Sequence, residues 1–252
     1  DTGSGCAILN DGTINTITGT LFDRNACGDL SAFGGVIANR DTGSLIETIS
    51  GSTFSNSNPD YPGDAVFTNL QGGAIINQGT IQLITTSFFS ANRALSGAGI
   101  QNGGPGIIQT ISHSTFSGNI AQGHDGAIFE EGGGIENLGT IENITNCTFG
   151  GNYANDSGGA VSNVGGTINI SFTTIANNEA GSEGGGISQD LNPTTNVRNS
   201  IVAFDTPENC ASLDASTVTD VEGNYSDDDS CGFTGDNSFI DLGPLANNGG
   251  PA

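Results

Sequence analysis

Carboxylates are the abundant reactive groups of this 252-residue chain: 27 Asp and Glu face four Arg, no Lys and two His, for a formal net charge of −23. Six candidate binding residues fall in two stretches, Asp60, Tyr61 and Asp64 in one, and His124, Asp125 and Glu130 in the other. Carboxylate pairs at the right separation hydrolyse glycosides, and a base beside a cation drives polysaccharide elimination. The cations available are Arg24, Arg40, Arg93 and Arg198, with His113 and His124. They form no recurring constellation with the carboxylates, so an enzyme is not expected, and catalytic residues are none. A second acidic set, Glu131, Asp156 and Glu183, has the oxygen chemistry of a Ca²⁺ site. A solvated acidic rim is the competing reading. No other cofactor is called for, and the negative charge speaks against nucleic acid and polyanionic substrates.

The elements that must carry these groups repeat. Inward Ile or Val residues are each followed two positions later by an amide: Ile8/Asn10, Ile37/Asn39, Ile75/Asn77, Ile100/Asn102, Ile135/Asn137, Val161/Asn163 and Ile187/Gln189. The hydrophobic members lie 29, 38, 25, 35, 26 and 26 residues apart. A base period of about 26 with two insertions marks a solenoid. Phe22, Phe54, Phe89, Phe116, Phe149, Ile175 and Val202 form a second column. Three residues beyond them stand Asn25, Ser57, Asn92, Asn119, Asn152, Asn178 and Asp205.

Units broken every few residues by Gly, Asn, Ser or Thr cannot be helical, whereas Ile, Val, Thr and Phe suit strands. The fold expected is all-β, a parallel β-helix whose like residues stack coil on coil. The amides at Asn10, Asn39, Asn77, Asn102, Asn137 and Asn163 then form a structural ladder, because a stacked carboxamide satisfies its neighbours and the corner backbone. The insertions, Asn58 to Gln71 and Gln122 to Glu131, leave from one corner, a usual place for binding loops. Repeats are expected over 1–205, followed by an irregular capping or docking segment over 206–252. Thr13, Thr80, Thr140 and Thr167 share an outward column, but Gly106 is read as interrupting it and no second Thr column is evident, a weak signal for ice binding.

Gly-Gly-Ala-Ile at Gly72 to Ile75, Gly-Gly-Ala-Val at Gly158 to Val161, and Phe-x-x-Asn at Phe22, Phe89, Phe116 and Phe149 resemble the repeats of polymorphic outer-membrane proteins. The tail, from Asn199-Ser-Ile-Val-Ala203 to Gly243-Pro-Leu-Ala-Asn-Asn-Gly-Gly-Pro251, is similar to the end of secreted bacterial β-helix proteins with a choice-of-anchor segment. That resemblance, with the crossover rule, implies a right-handed coil. It also implies an extracellular or cell-surface bacterial location and a structural, adhesin-like role. A carbohydrate-binding or carbohydrate-cleaving β-helix is the alternative.

Of five cysteines, Cys147 falls in a column of small residues with Ser52, Ser114, Thr173 and Ser200, and reads as a buried free thiol. The expected disulfides are Cys6–Cys27 and Cys210–Cys231, which require an oxidising compartment. No apolar stretch is long enough to span a membrane. Glycosylation triplets arise by chance in a chain this rich in Asn, Ser and Thr; if the protein is glycosylated, Asn155 and Asn224 are the better candidates. Candidate partners are a surface glycan or protein, and further copies of this chain stacked end to end into filaments through unpaired strand edges, with a monomer capped by the Cys6–Cys27 loop as the competing reading.

Overall fold

Each coil opens with a short strand whose first and third side chains face inward, as strand alternation requires. The computed structural model describes residues 7–25, 35–58, 71–123, 130–214 and 216–243. Three eight-stranded parallel sheets wrap a common core. The first runs from Ile8–Asn10 to Cys210–Ser212, the second from Thr13–Thr18 to Thr219–Glu222, and the third from Leu21–Asp23 to Tyr225–Ser226. A fourth sheet of two-residue strands joins Arg93–Ala94, Ile120–Ala121, Tyr153–Ala154 and Glu179–Ala180. The chain is therefore the expected parallel β-helix.

The columns stack in the register that the repeat dictates, with Ile8 on Ile37 on Ile75 and onward to Ile187. Phe22, Phe54, Phe89, Phe116 and Phe149 stack face to face, their ring centroids 4.5 to 4.8 Å apart. This spacing is the strand repeat itself, so the rings of five successive coils stack in contact, and Ile175 and Val202 continue the column.

Both amide columns are buried ladders. Asn10, Asn39, Asn77, Asn102 and Asn137 each pass Nδ2 to the Oδ1 of the next asparagine at 2.7 to 2.9 Å, the last rung ending on Asn163. The second runs from Ser57 through Asn92, Asn119, Asn152 and Asn178 to Asp205. A hydroxyl ladder lies beside them, in which the backbone N–H of Ser52 donates to Ser87 Oγ, Ser87 to Ser114 Oγ, and Cys147 to Thr173 Oγ1. Asn224 ends it, accepting from Ser200 N and donating to Val197 O. It is buried, so its amide is committed to the fold and the expectation of a glycan there is corrected; Asn155 is exposed.

Every coil bends through left-handed residues. One corner column, from Gly19 through Thr86, His113, Asn146 and Phe172 to Gly223, has φ between 47° and 67° and accepts side chains that point to solvent. The corner entering the first sheet is different: at Gly72, Gly97, Gly132, Gly158 and Gly184 φ is positive, and a Cβ would stand 2.4 to 2.8 Å from neighbouring atoms. Only glycine fits.

The sheets continue past the expected boundary at Asp205. Cys210 pairs with Ile187, Thr219 with Asn196 and Tyr225 with Ile201, completing an eighth coil. Its signal was hidden because Cys210 replaces Ile and Ser212 replaces the amide. Residues 227–238 then close this end: Cys231 and Phe233 enter the core, and Ser238 N donates to Ser226 O at 2.9 Å. The Cys210–Cys231 disulfide, Cα–Cα 4.9 Å, ties the closure to the eighth coil. Cys6 and Cys27 lie outside the described residues. Among the described residues, no helix is long and apolar enough to cross a membrane.

Candidate functional site

The middle residues of the first sheet point away from the core, yet Ile76, Gln101, Glu136, Ser162 and Ser188 are buried. The glycine corner explains this, because it lays the incoming chain over the outer face of the sheet. A Cβ at Gly97 would stand 2.7 Å from Gln101 Cβ, and one at Gly158 would stand 2.6 Å from Ser188 Oγ. A polar seam is thereby sealed outside the hydrophobic core.

Glu136 and Glu131 are the ionisable members of that seam. Gln101 Nε2 donates to Glu136 Oε2 at 2.7 Å, and Ser162 Oγ donates to Glu131 Oε2 at 2.8 Å. Burial pushes the Glu136 carboxyl up to about 7; the bonds from Gln101 and Ser96 act against this, while the charge of Glu131 adds to it. Burial also raises Glu131, helped by the charges of Asp156 and Asp190 and opposed by Ser162. Ser157 Oγ and Ser188 Oγ are buried without a hydrogen-bond partner. Glu136 was missed in the sequence because its neighbours along that column are Gln101 and Ser162, which are not titratable.

Glu130 sits at the mouth of an insertion, where Oε1 accepts from Gly123 N at 2.6 Å and Oε2 accepts from Asn155 Nδ2. It pins the returning chain to the next coil. Asp60, Tyr61, Asp64, His124 and Asp125 lie outside the described residues. The described flanks of both insertions do share a corner, since Asn58 Nδ2 donates to Arg93 O and Gln122 N donates to Ala94 O.

Of the acidic set, Ser157 and Glu183 pair across coils and Gly132 N donates to Ser157 O, so the stack of Glu131, Ser157 and Glu183 backbones is present. The side chains diverge: Glu131 is buried toward Ser162, whereas Glu183 is exposed. Among the described residues, no three His, Cys, Asp or Glu side chains are grouped to hold a metal ion. Ca²⁺ therefore has no assembled ligand set at Glu131, Asp156 and Glu183.

Two outward faces remain. A groove of about 290 Å³ on the third sheet lies among Thr148, Gly150, Thr174, Ala176, Leu242 and Gly243, and none of its lining residues is titratable. On the second sheet, Ile107 and not Gly106 aligns with Thr80 and Thr140, so the Thr column is interrupted as expected but by a different residue, and again by Leu45. A companion hydroxyl column also exists there: Thr18, Ser50, Thr85, Ser112, Thr145 and Ser171 stack, with Ser50 Oγ bonded to Thr18 Oγ1 at 3.2 Å. It escaped the sequence because Ser alternates with Thr.

Comparison with protein-family models, curated proteins and solved structures found no match.

Proposed function

We propose that this chain is the rigid, non-catalytic body of a secreted or surface-displayed bacterial β-helix protein, meeting a glycan or protein partner through its sides. The fate of the buried polar groups carries this reading. Asn, Ser and Glu side chains that could have served a reaction are spent on coil-to-coil bonds, as at Asn102–Asn137 and Gln101–Glu136. Eight coils at the strand repeat make a body about 34 Å long, flanked by hydroxyl columns. Recognition is placed on the sides because residues 227–238 cover the eighth coil, so end-to-end joining through a bare edge there draws no support.

A panel of neutral and acidic polysaccharides, assayed for binding and for turnover, tests the proposal. Binding without cleavage, lost when Thr18, Thr85 and Thr145 are replaced together by Glu, is the expected outcome. Cleavage abolished by E131Q or E136Q, or by replacing Asp60, Asp64 or Asp125, would overturn it in favour of a carbohydrate-active protein. Electron microscopy at high concentration should show single particles, and axial filaments would restore end-to-end assembly.

A further inference from the structure

In the second amide ladder every carboxamide plays the same part. Its Oδ1 accepts from the coil below. Its Nδ2 donates upward to the next Oδ1 and also to the carbonyl of the aromatic one coil below: Asn119 to Phe89 O at 3.0 Å, Asn152 to Phe116 O at 3.0 Å, Asn178 to Phe149 O at 3.2 Å. Asp205 inherits the next position. Its Oδ1 accepts from Asn178 N at 2.7 Å and Asn178 Nδ2 at 2.9 Å, as an amide oxygen would.

Its other oxygen, Oδ2, takes the place of the donating Nδ2 and is buried without a partner. A carboxylate has nothing to donate; a carboxylic acid has an O–H where asparagine has an N–H. The matching acceptor in the ladder is the carbonyl of Ile175, which stacks on Phe149. A Cβ at Gly186 would stand 2.6 Å from Oδ2 and 2.9 Å from Val202 Cγ1, so this oxygen faces the packed interior and not solvent.

Asp205 is also the link to the closing segment. Its N–H donates to Asn209 Oδ1 at 3.0 Å, while Asn209 Nδ2 donates to Ser226 Oγ and Asp227 Oδ1, both at 2.8 Å, and Asn209 N to Asp228 Oδ2 at 3.0 Å. The charged groups facing Asp205 are Asp227 and Asp228 from that segment; its neighbours from the coil below and across the core, Asn178, Gly186 and Val202, are uncharged. A third negative charge there has no counter-charge among these neighbours.

We propose that Asp205 is held as a neutral carboxylic acid that completes the ladder, and that its ionisation releases the eighth coil and the 227–238 closure, making this end of the solenoid an alkaline-sensitive latch. Burial, opposed by the Asn178 bonds and reinforced by Asp227 and Asp228, pushes its carboxyl up to about 8. The folded chain thus keeps a proton that the unfolded chain loses near the ordinary 3.8. Stability from this group is greatest at acid pH, falls as pH rises from there through about 8, and is level above.

Hydrogen-exchange protection of the peptides covering 205–213 and 225–238, corrected for intrinsic rate at pH 5, 7 and 9, tests the latch. Wild type should lose about tenfold or more between pH 7 and 9, E136Q should lose as much as wild type, and D205N should stay level within about twofold. Equal loss in D205N, or no loss in wild type, overturns the proposal. Carbon-13 NMR of the Asp carboxyls in the unmodified protein gives a second readout independent of any variant: one carboxyl titrating near pH 8 supports the neutral acid, and all titrating below 6 defeats it.

Discussion

Gln189 lies one coil above Asn163, yet the two side chains do not bond: Asn163 Nδ2 turns to Thr195 Oγ1 at 2.9 Å, and both polar ends of Gln189 are buried without a partner. One extra methylene carries the amide past the position at which five asparagines hand on their bond. The ladder stops there because the glutamine side chain is too long.

Q189N should therefore extend the ladder by one rung. Satisfying a buried amide is worth about 1 kcal/mol, and the expected result is a rise of that size in urea denaturation. Unchanged or lower stability would mean that Thr195, seated in the Ile column over Ile168, already absorbs the lost bond.

The two kinds of left-handed corner predict opposite tolerance. Gly132 has φ +65° and a Cβ there would meet Ile135 O at 2.4 Å, whereas Gly151 has φ +66° and nothing within 4 Å. G132A should cost about 2–4 kcal/mol from strain and overpacking. G151N should fall within about 0.5 kcal/mol of wild type, since asparagine adopts this conformation readily on a surface. Thermal melting of the two variants side by side checks the contrast.

Columns were legible in the sequence wherever one residue type repeats, because the parallel register stacks like on like. Ile, Phe and Asn announced the core and both ladders; Cys210 and Ser212 broke the pattern and concealed a whole coil. The polar seam was illegible for another reason. Burial of Glu136 depends on Gly132 folding the chain back over a face that alternation alone assigns to solvent, a tertiary effect with no period of its own. Glu131, Asp156 and Glu183 were placed by column but not by side-chain direction, so stacking was foreseen and divergence was not.

Thiol chemistry separates the cysteines. Burial pushes the Cys147 thiol up to about 12, with bonds from Ser114 and Thr145 acting the other way. In native protein it should resist alkylation at pH 8 for hours and react at once in denaturant. Reducing Cys210–Cys231, which spans a sequence separation of 21, should remove about 3 kcal/mol and lower the melting temperature. Intact mass before and after reduction counts any second bond, the test for Cys6–Cys27. Rapid native labelling of Cys147 would contradict its place in the hydroxyl ladder.

Glu136 gives the seam its own pH dependence. Its folded carboxyl holds a proton up to about 7, against an ordinary 4.5, so the folded state binds more protons across that interval. Stability from this group is full below about pH 4, declines as pH rises to about 7 and is level beyond. In E136Q the amide oxygen can still accept from Gln101 Nε2. The variant should match wild type near pH 4 and exceed it by on the order of 2 kcal/mol at pH 8. Urea denaturation at both pH values, with D205N as the background so that Asp205 does not contribute and Glu131 is common to both proteins, measures the difference. A variant less stable than wild type at pH 8 would show that the ionised carboxylate, and not the acid, is what the seam was built to hold.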